Sequence, residues 1–300
     1  MIDCILDADN MSAAWQDVLS KKGAPGLDGV NVSRWNRNWE ANIARIREQV
    51  RANTYRAGKP KRISIHKKSG GTREICLLNV SDKVLQRAML TVINPLFEAR
   101  FLNCSHGYRR NRSCATAVQQ VLHFRDLGYR LVLNADIDDC FDKIDQTLLM
   151  ERVRRVISDW FVLNLMEKWL AVSRRKRHQA LGIPQGAVIS PLWCNIYLHN
   201  LDARLSCAGC KLVRYADDFI LLARSVAEMD HAQTALDAVI TASRLALSPQ
   251  KTYLSDFDSG FTFLGVDFLR DTYSYTCEDK RVEVRGRKLK ALYRHPPAFY

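Results

Sequence analysis

Apolar and polar positions along this chain switch between a period of two and a period near 3.6, and the switches mark out its elements. Arg62 to Asn79 alternates around Ser69-Gly70-Gly71, which predicts a β-hairpin with a Gly-Gly turn. Val84, Leu85, Ala88, Met89, Val92, Ile93, Leu96 and Phe97 then recur every three to four residues, as on one face of a helix. From Arg130 to Asp138 the period returns to two. Leu131, Leu133, Ala135 and Ile137 point one way, and Val132, Asn134, Asp136 and Asp138 the other. Val153, Val156, Ile157 and Trp160 predict one helix. A second, carrying Cys194, Leu198, Leu201 and Leu205, follows the turn Gly182–Gly186. Lys211 to Ala223 reads as an apolar hairpin. Met229, Leu236, Val239 and Ile240 predict a helix ending near Ser248-Pro249, and Phe261–Phe268 a last clear strand pair. Ahead of these stand a Gly/Pro turn cluster, Lys21–Val30, and a helix rich in Trp and Arg. The order β, α, α, β, hairpin, α, β predicts an α+β fold with helices packed on one face of a sheet.

Composition adds a partner. The 300 residues carry a net charge of +13, and nearly half are apolar. Such a chain can build a large core, and its basic surface suits a polyanion, most commonly nucleic acid. No signal-peptide pattern opens the sequence, and no apolar run reaches the roughly 18 residues that span a bilayer. A cytoplasmic protein that does not meet a membrane is expected. The nine cysteines read as reduced thiols. The pair Cys207 and Cys210 lacks a second pair of ligands for zinc and reads as turn cysteines.

The chemistry lies in carboxylates set among apolar residues. Tyr215-Ala216-Asp217-Asp218 interrupts the apolar hairpin, and burying an unpaired carboxylate costs several kcal/mol. Asp is also a common turn residue, so the tetrapeptide alone divides evenly between a polar turn and a site. Asp136 breaks that balance, because it lies in a second, mostly apolar strand. If the two strands are neighbours, three hard oxygen ligands meet, a set suited to Mg²⁺. Two such ions about 4 Å apart can activate a 3′-hydroxyl and stabilise a leaving pyrophosphate. Asp138, Asp139, Asp142 and Asp145 read as solvated or capping acids.

Eight blocks in order give the chain a family likeness. Gly23–Gly29 (GAPGLDG) resembles the N-terminal extension motif of bacterial group II intron-like reverse transcriptases, a lineage with free-standing, CRISPR-associated and defence-associated relatives. RISIHKKSGGTREI resembles their fingers hairpin, and Ser105–Ser113 (SHGYRRNRS) the block that follows it. ADIDDCFDKID resembles the palm strand with the first catalytic Asp, and GIPQGAVISPLWCNIYL the turn and helix that contact template and nucleotide. RYADDFILL resembles the catalytic hairpin, and Leu247–Thr252 (LSPQKT) and FTFLG the last two palm motifs. The resemblance runs from about Gly23 to about Phe268.

It implies a right-hand polymerase with fingers and palm, adding dNTPs to a 3′-hydroxyl on an RNA template from a DNA or RNA primer. Asp136, Asp217 and Asp218 are the implied catalytic carboxylates. Asp136 and Asp217 would hold two Mg²⁺ ions (Mn²⁺ as substitute), with the Ile137 carbonyl helping and Asp218 supporting electrostatically. Phe141 stands at the family's steric gate, which implies a DNA product. Lys67 and Arg73 match the residues that grip the triphosphate, with Lys68 an alternative register for Lys67. Gln185 is placed to contact the nascent base pair and Lys251 to donate a proton to pyrophosphate. Phe263, Leu264 and Gly265 match the primer grip. Residue by residue, the blander readings are a core Phe, a solvated hairpin face and a surface Lys. Two basic clusters, Arg109, Arg110 and Arg112, then Arg174, Arg175, Lys176 and Arg177, could track a phosphate backbone.

The implied organisation is an N-terminal extension and fingers over 1–125 and a palm over 126–268, with roughly 146–180 lent to the fingers. Residues 269–300 would form a short strand pair and basic tail, or a vestigial thumb. The thumb would then be short or absent, its work done by a partner protein, a second subunit or a dedicated non-coding RNA. No endonuclease or integrase domain fits this length. His66, where relatives usually have Pro, is a minor departure. The alternatives are a retron-type reverse transcriptase, an RNA polymerase on the same palm, which Phe141 opposes, and an RNA-binding scaffold with a silent palm.

Overall fold

The computed structural model describes residues 1–66, 72–174, 179–277 and 280–285. Lys67, Lys68, Arg175, Lys176, Arg177 and the tail from 286 lie outside the described residues. The chain divides into two compact units. The first takes Met1–Arg100 with Phe141–Ile196. The second takes Phe101–Cys140 and the described residues from Tyr197 onward.

The first unit begins with helices α1 (Ile2–Ile5), α2 (Ala8–Ser20), α3 (Val32–Asn36) and α4 (Trp39–Arg51). Asp7 caps α2, its carboxylate accepting from the amides of Asp9 and Asn10. Met11, Ala14, Trp15 and Val18 form the buried face of α2, which packs on α5 (Val80–Glu98). The rings of Trp15 and Trp35 meet at 4.4 Å between centroids, tilted by 41°. Between α4 and α5 lie β1 (Lys61–His66) and β2 (Thr72–Leu77), antiparallel from Lys61↔Leu77 to His66↔Thr72, as the alternation predicted.

The expected single helix through Val153 and Trp160 is two helices, α8 (Gln146–Arg154) and α9 (Trp160–Ser173). Asp159 decides this: its Oδ1 accepts from the amides of Phe161 and Val162 and starts a new helix. Trp160 therefore stands exposed at the start of α9, while Val153 and Ile157 are fully buried. Asp145 caps α8 in the same way, as read from the sequence. The short helix α7 (Cys140–Lys143) precedes α8, and α10 (Ser190–Cys207) passes from the first unit's residues into the second's.

The second unit holds α6 (Cys114–Asp126), β3 (Leu131–Asp136), β4 (Lys211–Tyr215), β5 (Asp218–Ala223), α11 (Val226–Ala242) and β6 (Tyr253–Asp256). One sheet runs in the order β4-β5-β3-β6 with every neighbouring pair antiparallel. Val132 and Leu133, consecutive and so on opposite faces, are both buried. The sheet is thus covered on both sides at β3, not on the single face expected. Val132, Val213, Ile220 and Leu222 share a core with Ala117, Val118, Val121 and Leu122 of α6. Helix α11 ends at Ala242, short of the expected Ser248-Pro249, and β6 is a strand that periodicity did not mark.

A second sheet of β7 (Phe261–Phe263), β8 (Val266–Leu269), β9 (Thr272–Cys277) and β10 (Lys280–Arg285) runs in the order β10-β9-β8-β7. The strand pair expected after Phe268 is present and extends the Phe261–Phe268 hairpin. Phe257, Phe261, Phe268, Tyr273 and Tyr275 contribute to the same core as α6.

Candidate active site

The carboxylates meet through sheet register. Asp136 ends β3 and lies directly opposite Asp218, the first residue of β5. Asp218 also faces Tyr215 of β4, so Ala216 and Asp217 form a two-residue hairpin loop. Ala216 has φ of +60°, and Asp217 is not among the positive-φ residues. That pattern belongs to a type II′ turn, whose first loop position glycine fills without strain. An Ala there needs support from its surroundings.

The electrostatics are lopsided. Burial, and then the charges of Asp136 and Asp217, push the Asp218 carboxyl up to about 7. Lys251 offsets part of this, its Nζ 2.8 Å from Asp136 Oδ2. That contact holds the Lys251 ammonium above its ordinary value. The backbone ties Lys251 here: the Ser248 amide donates to the Asp136 carbonyl at 2.8 Å, and the Lys251 amide to Ser248. Ile137 is buried and bridges Leu247. Three acids and one exposed lysine leave negative charge that a cation would neutralise, and the donors are all hard oxygens. They are not closed into a cage: among the described residues no three His, Cys, Asp or Glu side chains are gathered as a metal site.

The other expected residues fall in three places. Phe263 is buried in the core, so in the Phe263–Gly265 block only Leu264 and Gly265, both at positive φ, form the hairpin tip. Arg73 is exposed on β2 opposite Ile65. Phe141 and Gln185 belong to the first unit's own framework. The Phe141 carbonyl accepts from the Ile183 amide at 2.8 Å, and the Gln185 carbonyl from the Cys76 amide at 2.7 Å. Gly186 follows with φ of +95°, where a Cβ would strike Ile75. A cavity of about 90 Å³ opens beside this turn, lined by Arg62, Glu74, Asp142, Pro184 and Gln185 among others.

The first basic cluster is only partly available to phosphate. Arg109 is buried, and its guanidinium donates to the carbonyls of Leu102 and Ser105. Its expected role on a backbone is therefore corrected: it holds a loop. Arg112 binds Asn103 Oδ1, and Arg110 remains exposed. In the second cluster, Arg174 donates to Gln146 Oε1 at 2.8 Å.

Sequence reasoning passed over Arg214 and Asp202. Arg214 is fully buried and binds Asp202 through Nε and Nη2, at 2.7 and 2.6 Å. The signal was a lone arginine inside an apolar strand next to the acidic turn.

A mixed sheet-and-helix unit presenting acids from two adjacent antiparallel strands is the arrangement a polymerase palm has. Residues 65–268 match the family described as reverse transcriptase (RNA-dependent DNA polymerase), and the chain belongs to that family. It is 29% identical to "Protein YkfC" of Escherichia coli (strain K12), over 92% of this chain and 84% of that protein. It is 32% identical to the group II intron-encoded protein LtrA of Lactococcus lactis subsp. cremoris, over 66% of this chain but 34% of that protein. The apo telomerase from Candida tropicalis, truncated from its C-terminal domain, shares the fold. Its TM-score is 0.52 at 15% identity, over 79% of this chain and 58% of that one. The chain thus spans most of YkfC but only a third of the intron-encoded protein. Among the described residues no helix is long and apolar enough to cross a membrane.

Proposed function

We propose that this chain extends a primer 3′-hydroxyl with dNTPs on an RNA template, and that Asp136, Asp217 and Asp218 are its catalytic carboxylates. The observation that carries the reading is the Asp136↔Asp218 pairing across β3 and β5, with Asp217 in the adjoining loop and Lys251 ion-paired to Asp136. Asp136 and Asp217, with the Ile137 carbonyl, are the proposed holders of two Mg²⁺ ions, and Mn²⁺ could replace them. When bound, such ions lower the pKa of the attacking hydroxyl and stabilise the leaving pyrophosphate. Asp218, across from Asp136, adds negative potential that draws the cations in. Lys251, ion-paired with Asp136, is the proposed donor of a proton to the leaving pyrophosphate.

The nucleotide-binding roles in this proposal follow the family resemblance. Arg73 and Lys67 bind the triphosphate, Gln185 supports the nascent pair, and Phe141 excludes a ribose 2′-hydroxyl. Leu264 and Gly265 at the hairpin tip, with Phe263 anchoring it from the core, hold the primer. The proposed organisation keeps fingers and palm interleaved, with the strands after Phe268 as a vestigial thumb. The pathway, whether phage defence, spacer acquisition or an intron-derived activity, is left to the RNA or protein partner that the chain meets in the cytoplasm.

The test is Mg²⁺-dependent dNTP incorporation on a primed RNA template, beside Asp217→Asn/Asp218→Asn. Activity in the wild type alone supports the reading. RNA binding without incorporation in either form would replace it with a silent scaffold. Replacing Phe141 with Ala tests the gate: ribonucleotide incorporation should rise, and a wild type already preferring ribonucleotides would remove the assignment.

A further inference from the structure

We infer that Arg214, Asp202, Ser105 and Gly107 form a buried clamp whose role is to hold the Ala216-Asp217 turn in its working geometry. The inference rests on reading that turn as the nucleotidyl-transfer site. All four residues, and the turn itself, belong to the second unit.

A guanidinium and a carboxylate with no solvent exposure are an expensive way to fill a core. A buried ion pair is often no better for stability than apolar residues of similar volume. Arg214 and Asp202 are both wholly buried, so the value of the pair has to be sought in what else it binds. Asp202 occupies Nε and one hydrogen of Nη2. Nη2 also donates to Ser105 Oγ at 2.7 Å, and Nη1 donates to the Ala216 carbonyl at 2.8 Å. The rigid fork of arginine allows this, and a lysine ammonium does not reproduce it. Through one side chain, α10, β4 and the segment around Ser105 are fastened to the carbonyl of the strained loop residue.

The backbone closes the clamp from the other side. Ser105 and Arg214 form a parallel bridge: the Arg214 amide donates to the Cys104 carbonyl, and the His106 amide to the Arg214 carbonyl, each at 2.8 Å. This brings Gly107 flat against the turn. A Cβ there would fall on the Ala216 amide nitrogen, with Tyr215 C at 3.0 Å and Ala216 Cα at 3.2 Å. Arg109 and His106 brace the same segment. Arg109 donates to the Ser105 carbonyl, and the His106 ring lies within hydrogen-bond distance of Thr116 and Gln120. A non-glycine residue at φ of +60° persists only where its neighbours over-determine it, and here they do so from both sides. Asp217 is the next residue, so any drift of Ala216 moves its carboxylate directly. These four are positioning residues, since none is argued to touch substrate.

The test uses the full chain with Ser105→Ala, Gly107→Ala and Arg214→Lys, each checked for folding by its Tm. Three quantities are read: amide hydrogen exchange at 216–218, Mn²⁺ affinity by electron paramagnetic resonance of free Mn²⁺, and kcat and KM for dNTP. Gly107→Ala should cut kcat on the order of 10²-fold, the scale of a misplacement near 1 Å, and Ser105→Ala about 10-fold. Primer–template affinity should not change. Exchange at 216–218 should quicken in both, and Mn²⁺ should bind more weakly. A clamp that merely stabilised the fold would lower Tm without the kcat and exchange effects. If Arg214→Lys or Gly107→Ala fails to fold, Ser105→Ala decides, because it removes a single hydroxyl. Unchanged exchange and kcat in Ser105→Ala would overturn the inference. A wild type that incorporates no dNTP would instead count against the polymerase reading, and exchange at the turn would still decide the clamp.

Discussion

The two units bury acid in opposite ways. In the first, Asp82 on α5 is almost wholly enclosed and fully supplied with neutral donors. Tyr55 Oη donates to Oδ1 at 2.7 Å, Trp169 Nε1 donates to Oδ1 at 3.0 Å, and the Gly58 amide donates to Oδ2 at 3.1 Å. In the second, Asp136, Asp217 and Asp218 crowd one end of a sheet, with an exposed lysine as their named counter-charge. Asp82 fastens α5 to α9 and to the Tyr55–Gly58 segment, so its own charge is incidental. The cluster concentrates like charge at one end of the sheet. A buried acid supplied with neutral donors reads as structure, and acids crowded against one another read as a place for a cation.

Substitutions should separate the two. The largest effect is expected for Asp217→Asn: incorporation should fall at least about 10³-fold, with Tm unchanged or raised. A parallel loss of Tm and activity would place Asp217 with Asp82, as structure. Next, Asp82→Ala should cost about 4 kcal/mol in urea unfolding, because three buried donors lose their acceptor. Asp82→Asn, whose carbonyl can still receive Tyr55 and Trp169, should cost much less. Turnover per folded molecule should be ordinary in both, and a kcat defect would break the contrast.

The second unit has a neutral hub of its own, and pH exposes it. Burial is the main cause that holds the His106 imidazole down at about 4. The unfolded chain takes up that proton near 6.5, so its share of stability is complete above pH 6.5 and is lost as pH falls toward 4. Between pH 7 and pH 5 the wild type should lose about 2 kcal/mol more unfolding free energy than His106→Gln, a difference that isolates His106 from acids of opposite sign such as Asp218. Asp82 has the opposite sign. Burial raises its pKa, so its contribution is greatest below the unfolded value and falls as pH rises through the folded one. The smallest change in stability is expected for Asp218→Asn: relief of like charge should raise Tm by about 2 °C while activity is lost. A fall in Tm would mean that Asp218 is held by partners, as Asp82 is.

Much of this was legible in the sequence. Short-range patterns marked the β1–β2 hairpin, α5, the β4–β5 hairpin and the Phe261–Phe268 pair, because each depends on a local period. The misplacements were also local in origin. Asp159 looked like one polar residue inside a helical pattern, yet its carboxylate starts α9, and a cap is visible only once the amides it receives are known. Strand β6 carries Tyr253 and Leu254 exposed at a sheet edge, so it shows no buried alternation and left no mark on the pattern.

By itself, the sequence determined the family and the order of motifs and singled out three candidate acids, because these depend on residue identity and spacing. Only the tertiary structure decided the rest. Asp136 meets Asp218 through a register joining residues 82 positions apart in the chain. The same folding turned Arg109 inward to hold a loop and enclosed Arg214 against Asp202. A charged side chain has the same letter whether it faces phosphate, water or another side chain. The choice is made by which groups long-range packing brings within about 3 Å, and no local period records that.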